Sequence, residues 1–238
     1  MPRPLVIAHR GASSTHPENT LAAVAQAVAL GADIVELDVH AAADGVAVLM
    51  HDRALARTTG RPGMIDALNS IELAALGVPR LADALETLAG ADVTLCLEFK
   101  DGEYRPPELA AARLVAQFER LALHGRAVAN VPSLAVAEQV RRRDRRIRLV
   151  VDCAERPHDA AEAARIAAGL AATGAHAVEY EQSTVTAEAV KACRRLGLPV
   201  WAWTANDPAD WSRLCAAGAD AILTDDPGGL LRYLRVEL

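Results

Sequence analysis

Apolar residues in this chain gather in short blocks, and the stretches between most of them carry helical periodicity. The blocks are Leu5–Ala8, Ile34–Val39, Val46–His51, Val93–Lys100, Ala127–Val131, Ile147–Val151, Ala177–Tyr180, Val200–Thr204 and Ala221–Thr224. Helical patterning covers Thr20–Leu30, Leu81–Leu88, Glu108–Leu123, Leu134–Arg143, Asp159–Ala172, Ala187–Leu196, Ala209–Ala216 and Gly229–Leu234. Glycines such as Gly31, Gly197 and Gly218 fall just past several of these segments, where a left-handed residue closes a helix. Strand-helix alternation of this kind predicts a parallel sheet with helices outside.

Nine strand blocks are one more than a (β/α)8 barrel of the TIM type needs. The extra one is Val46–His51, because His40–Gly45 is too short for a parallel crossover. Asp44-Gly45 is a two-residue hairpin signal. A turn there pairs positions that sum to 89 and sets His51 opposite Asp38. The expected architecture is therefore one barrel domain over 1–238, with a short antiparallel arm and a small insertion at 52–80.

Alternation within the blocks points to chemistry. On one strand, Val35, Leu37 and Val39 form an apolar face toward the helices, while Ile34, Glu36 and Asp38 face inward. On another, Val93, Leu95, Leu97 and Phe99 face the helices, and Thr94, Cys96, Glu98 and Lys100 face inward. Buried charge is costly unless compensated. One reading is internal salt bridging, of Glu98 with Arg10 or Lys100. Two strands with inward acids at their C-terminal ends, where barrel active sites lie, favour a metal site instead. Three carboxylates, Glu36, Asp38 and Glu98, suit a hard cation, Mg2+ or Ca2+.

His9-Arg10-Gly11 ends the first block, and His51-Asp52 ends the arm beside the acids. Two imidazoles flanking a phosphoryl group can supply a general acid and a general base near neutral pH. Arg10 offers a planar fork for phosphate oxygens, and Lys100 is a second counter-charge. Pro17-Glu18-Asn19-Thr20 opens the first helix, with Asn19 as an N-cap candidate or a substrate contact.

Composition narrows the partners. The 25 Lys+Arg against 31 Asp+Glu give a net charge of −6, which argues against a dedicated nucleic-acid binder. No apolar run approaches the ~18 residues of a membrane span, so stable insertion is not expected. The chain runs almost at once into a strand-like block, leaving no space for a leader, so a cytoplasmic location is expected. Cys96, Cys153, Cys193 and Cys215 are widely spaced and read as reduced, mostly buried thiols.

These pieces together resemble the glycerophosphodiester phosphodiesterases, whose barrel is shared with phosphatidylinositol-specific phospholipases C. The matching motifs are His9-Arg10-Gly11, Pro17-Glu18-Asn19-Thr20, Gly31-Ala32-Asp33 leading into Glu36-Leu37-Asp38-Val39, and Asp44-Gly45 leading to His51-Asp52. Further on come Leu97-Glu98-Phe99-Lys100, Trp201-Ala202-Trp203-Thr204-Ala205-Asn206 and the run from Gly218 to Pro227. The resemblance implies metal-dependent cleavage of a small-molecule glycerophosphodiester to glycerol 3-phosphate and an alcohol. It implies His9 and His51 as general acid/base and Glu36, Asp38 and Glu98 as ligands of one divalent ion. Arg10 and Lys100 would hold the phosphate, and Trp203 would line the mouth. Asn130-Val131 stands where the family usually has a Ser-Phe pair, and His40, where a Gln or similar polar residue is common, reads as a surface residue of the arm. Both leave the substrate's alcohol open.

Two other readings differ in testable ways. A catalytically silent barrel that binds an anionic head group is disfavoured, because both histidines and all three acids are present together. A lysophospholipase D or cyclic phosphodiesterase would share the site and differ in the alcohol. The basic run Arg141–Arg146 reads as a solvated helix end. His16 lies near the mouth, whereas His124, His158 and His176 fall in loops or edges without metal-ligand spacing. Trp201 and Trp211 read as packing residues, and Asp225-Asp226-Pro227 either touches the site or caps the last helix.

Overall fold

The computed structural model describes residues 3–153 and 160–237. In chain order its elements are β1 (Leu5–Ala8), α1 (Leu21–Leu30), β2 (Ile34–Ala41), β3 (Ala47–Leu49), α2 (Ala56–Thr59), α3 (Ser70–Ala75), α4 (Leu81–Thr87), β4 (Thr94–Phe99) and α5 (Asp101–Tyr104). There follow α6 (Pro107–Arg120), β5 (Ala127–Val131), α7 (Leu134–Arg143), β6 (Arg148–Asp152), α8 (Ala160–Ala172), β7 (Ala177–Glu181), α9 (Ala187–Arg194), β8 (Val200–Trp203), α10 (Pro208–Ala217), β9 (Ala221–Thr224) and α11 (Pro227–Glu237). His158 lies outside the described residues, as does the first position of the helix expected at 159–172.

Eight parallel strands run in the order β1-β9-β8-β7-β6-β5-β4-β2, and pairing of β1 with β2 closes the ring. β3 pairs with β2, antiparallel and outside the barrel, and its Val48 bridges to Arg80. This is the (β/α)8 barrel with a hairpin arm that the alternation predicts.

The two faces of the strands divide as the side-chain pattern dictates. Val35, Leu37, Val39, Leu95, Leu97 and Phe99 pack outward against the helices. Inside the ring, Ile7, Ile34, Cys96, Val128, Val150, Trp201 and Leu223 make a second apolar layer. On β2, β4 and β5 the polar inward residue follows the apolar one toward the strand's C-terminal end, so the barrel is apolar below and polar at its mouth. Leu37 and Leu97 are fully buried in the outer layer, and truncating either to Ala is expected to cost about 2–5 kcal/mol.

The start of α1 departs from the sequence reading. Thr20, not Asn19, is the N-cap, accepting from the Ala23 amide at 3.2 Å. Asn19 sits in the left-handed region, with φ at 57°, and its side chain turns into the barrel mouth. Gly11 makes this entry possible. Its φ is +82°, and a Cβ there would lie 2.6 Å from the backbone carbon of Ala23, so only glycine lets the β1–α1 turn lie against the helix.

The hairpin register also differs. Its pairs are Val39 with Leu49, His40 with Val48 and Ala41 with Ala47, which sum to 88 rather than 89. The turn uses three residues, 43 to 45, with the Gly45 amide bonded to the Ala42 carbonyl and Gly45 at φ +76°. A turn closed by a left-handed residue in a bulge is the common three-residue solution. Asp38 therefore bonds through its carbonyl to the Met50 amide at 3.1 Å, and His51 lies beyond the paired part of the arm. His40 is buried rather than on the surface, at 2% exposure.

Residues 52–80 form the expected insertion, closed over a satellite core of Ala42, Val48, Met50, Leu55, Ile65, Leu73 and Val78. Arg141 caps carbonyls of Arg145, Ile147, Thr173 and Gly174 at 2.7–3.1 Å, so part of the basic run is structural. Trp201 lies in the inner core, and Trp211 packs outside with its indole N–H donating to the Ala205 carbonyl at 2.9 Å. Among the described residues no helix is long and apolar enough to cross a membrane.

Candidate active site

The mouth of the barrel is assembled from strand ends. Asp38 of β2 lies beside Glu98 of β4 in the parallel register, and Glu98 in turn lies beside Asn130 of β5. Glu36, one inward position earlier, completes a group in which one carboxylate oxygen of each acid lies within 4.8 Å of the others. Glu36 and Asp38 are each 1% exposed. One Glu36 oxygen accepts from the Arg10 amide at 2.9 Å, and the other is buried without a hydrogen-bond partner.

Three carboxylates this close disfavour one another's ionisation. Burial, then the charges of Asp38 and Glu98, push Glu36 well above the usual carboxylate range. Burial, then Asp38, raises Glu98 to about 7. Burial acts against Asp38 too, but Lys100, Arg10 and His51 outweigh it and hold that carboxyl below its ordinary value. A hard divalent cation would relieve this repulsion and occupy the unpartnered Glu36 oxygen, so the donor set fits Mg2+ or Ca2+.

Cations already surround the acids. The Lys100 ammonium contacts Glu98, lies 3.2 Å from Asp38 and 3.2 Å from Glu103. Burial opposes its charge, but Asp38 and Glu98 prevail and raise its pKa. The salt-bridge reading is thus realised alongside the carboxylate cluster. Arg10 sits at φ 56°, with Nε 3.2 Å from Asp38 and Nη1 3.1 Å from Glu18. A left-handed non-glycine residue is a local strain. Here it turns the Arg10 amide toward Glu36 while the guanidinium reaches Asp38. Asn19 reads both sides of Asp38, donating to its carboxylate at 2.8 Å and accepting from its amide at 3.1 Å.

The histidines stand on opposite supports. His9 follows β1, and its Nδ1 lies 2.7 Å from Asp225 at the end of the neighbouring β9. Asp225 also accepts from Ser13 at 3.0 Å and from Asn206 at 2.7 Å. Burial would raise Asp225, but these bonds, led by His9, hold it at about 2. His51 has its Nδ1 2.7 Å from Asp52, and its carbonyl accepts from His40 Nε2 at 3.0 Å. The Arg57 guanidinium, ahead of opposing desolvation, holds Asp52 at about 2. An ionised carboxylate on Nδ1 fixes the proton there and leaves Nε2 free for chemistry.

The far wall was less visible in the sequence. Glu179 of β7 is fully buried and accepts from Asn130; burial, then Asp152 and Glu98, push it well above the carboxylate range. Trp203, at the end of β8, donates from its indole nitrogen to Asp152 at 3.2 Å. The inward alternation on β6 and β7 could have flagged Asp152 and Glu179. Asp225 faces His9, whereas Asp226 accepts from the Gly229 amide at 2.8 Å near the start of α11, so adjacent residues divide the two roles considered for that motif. His124 pairs with Asp144 at 2.8 Å and His176 accepts from the Leu149 amide at 3.2 Å. His16 borders the groove beside His9.

Comparison with known proteins gives a consistent result. Residues 9–229 match the model of the glycerophosphoryl diester phosphodiesterase family. A glycerophosphodiester phosphodiesterase of Caldanaerobacter subterraneus is 28% identical, covering 97% of this chain and 98% of that protein. A solved structure from Silicibacter pomeroyi superposes with a TM-score of 0.86 at 27% identity, covering 98% of this chain and 94% of the other. An Oleispira antarctica phosphodiesterase, solved in complex with the product sn-glycerol-3-phosphate, has a TM-score of 0.83 at 26% identity, covering 98% of this chain and 97% of the other.

Proposed function

Because the chain belongs to the glycerophosphoryl diester phosphodiesterase family, we propose that it hydrolyses glycerophosphodiesters to glycerol 3-phosphate and an alcohol. One observation carries the reading: three clustered carboxylates at the barrel mouth share it with two histidines, each backed by its own aspartate. The product complex of the Oleispira antarctica relative supports the same substrate class.

Glu36, Asp38 and Glu98 hold one divalent cation, Mg2+ or Ca2+, which when bound neutralises charge growing on the phosphoryl oxygens. Arg10 and Lys100 orient the diester by contacting its non-bridging oxygens, with fixed charge that counts for more where little water enters. One histidine, through Nε2, takes the proton of the attacking water, or of a glycerol hydroxyl next to the ester, in which case a water then opens the resulting cyclic phosphate to glycerol 3-phosphate. The other gives a proton to the departing alkoxide, and the aspartates keep both rings turned for the exchange. Trp203 lines the mouth on the β8 side.

A panel of glycerophosphodiesters, lysophospholipids and inositol phosphodiesters, assayed with several divalent ions, tests the reading. Release of glycerol 3-phosphate from glycerophosphocholine or a similar diester, lost on chelation and restored by Mg2+ or Ca2+, is the expected result. Turnover confined to lysophospholipids or cyclic diesters would replace the substrate class. Binding without turnover on any member would replace the enzyme by a binding protein.

A further inference from the structure

The insertion contributes one side chain that bridges two parts of the site. Arg57, on α2, spans two carboxylates with one guanidinium. Its Nη1 and Nη2 lie 2.9 and 2.6 Å from the two oxygens of Glu18, and its Nε contacts Asp52. Asp52 is the partner of His51 at 2.7 Å, and Glu18 is the partner of Arg10 at 3.1 Å. Arg10 reaches Asp38 at 3.2 Å. An unbroken line of contacts thus runs from His51 through Asp52, Arg57, Glu18 and Arg10 to a carboxylate of the cluster.

From this chain of contacts we propose that Arg57 is a positioning residue, holding His51 through Asp52 in register with the phosphate-binding side through Glu18 and Arg10. The inference rests on the proposed diesterase reading for its catalytic consequence.

Three features support it. Arg57 is 47% exposed, and ion pairs at such positions contribute little to stability, so stability gives weak reason for this contact. His51 lies past the paired part of the arm, where a side chain, His40, holds its carbonyl at 3.0 Å, whereas His9 is anchored through its amide to the Thr224 carbonyl of the neighbouring strand at 3.0 Å. Finally, a planar fork that meets one carboxylate with two nitrogens and another with the third is geometry a lysine cannot reproduce.

The test compares Arg57→Gln with wild type and with Arg80→Gln. Arg80 bonds Asp83 at 2.7 Å at the far end of the same insertion and touches neither Asp52 nor Glu18 among the bonds described, so its loss is expected to leave turnover near wild type. Arg57→Gln is expected to lower kcat about 10–100-fold, the usual cost of removing a group that orients an active-site ligand or imidazole. Nitrogen NMR of the imidazoles is expected to show His51 leaving the single Nδ1–H form while His9 stays unchanged. Added to Asp52→Asn, the Arg57 change is expected to cost no more than about 2-fold further, because coupled residues do not add. Unchanged kcat and an unchanged His51 tautomer in Arg57→Gln would overturn the proposal, as would losses that multiply fully in the double variant. A wild-type enzyme inert toward every diester would instead overturn the diesterase reading, and the NMR comparison would still decide the hold of Arg57 on His51.

Discussion

His9 and His51 carry the same contact, an imidazole Nδ1 at 2.7 Å from an aspartate, on unlike foundations. His9 is a product of the barrel: its partner Asp225 ends the adjacent strand, and Ser13 of the same loop as His9 and Asn206 of the loop after β8 lock that carboxylate. His51 is a product of the periphery. It lies beyond the arm's paired strand, its partner is its sequence neighbour, and its support comes from His40 on its carbonyl and from the half-exposed Arg57 on Asp52. Side-chain exposures of 16% for His9 and 36% for His51 follow that difference. The fold itself thus positions one of the two histidines proposed as the acid–base pair, while surface charge on an insertion positions the other.

The largest expected effects come from the rings. His9→Ala and His51→Ala are each expected to lower turnover of a glycerophosphodiester by about 10²–10⁴. Steady-state rates near wild type in both variants would remove them from the chemistry. Next come their supports. Asp225→Asn and Asp52→Asn are each expected to cost about 10–100-fold, and a loss for one of the two alone would show that only that histidine needs its proton fixed. A smaller effect separates the two foundations directly. Raising ionic strength to about 1 M shortens the screening length to about 3 Å. The His51 tautomer is then expected to loosen while that of His9 holds, and equal sensitivity in NMR would erase the distinction.

The smallest effect is on stability in acid. Asp225 is held at about 2 in the folded chain against an ordinary value of 3.8. Its carboxylate therefore stabilises the fold above about pH 4, and that contribution is lost as pH falls toward about 2. The gap in Tm between wild type and Asp225→Asn is expected to be widest near neutral pH and to close on acidification. A gap constant across that range would contradict the assignment.

What the sequence disclosed follows the same division. Strand alternation alone placed Glu36, Asp38 and Glu98 on the inner face, because a period of two leaves no freedom once the other face is wholly apolar. It failed where backbone detail decides. The hairpin slipped by one position because Asp44-Gly45 also serves a three-residue turn, and Asn19 left the cap to Thr20 because a left-handed turn swung it toward Asp38. His40 was misplaced on the surface because burial of the arm depends on Tyr104 and the insertion, contacts made across 64 residues of chain. The Arg57 bridge had no local signature, since its meaning comes only from two carboxylates 39 and 5 positions away. Asn130, noted as a departure, is a buried partner of Glu179, a contact made across 49 residues of chain.

The central claim is that Glu36, Asp38 and Glu98 together hold a single divalent cation. Titration of Mn2+ into metal-stripped protein, with bound ion counted by electron paramagnetic resonance, addresses it without relying on turnover. One ion per wild-type chain is expected, with binding lost in Glu36→Gln and in Glu98→Gln. Equal binding in wild type and both variants, or none in wild type, would contradict it.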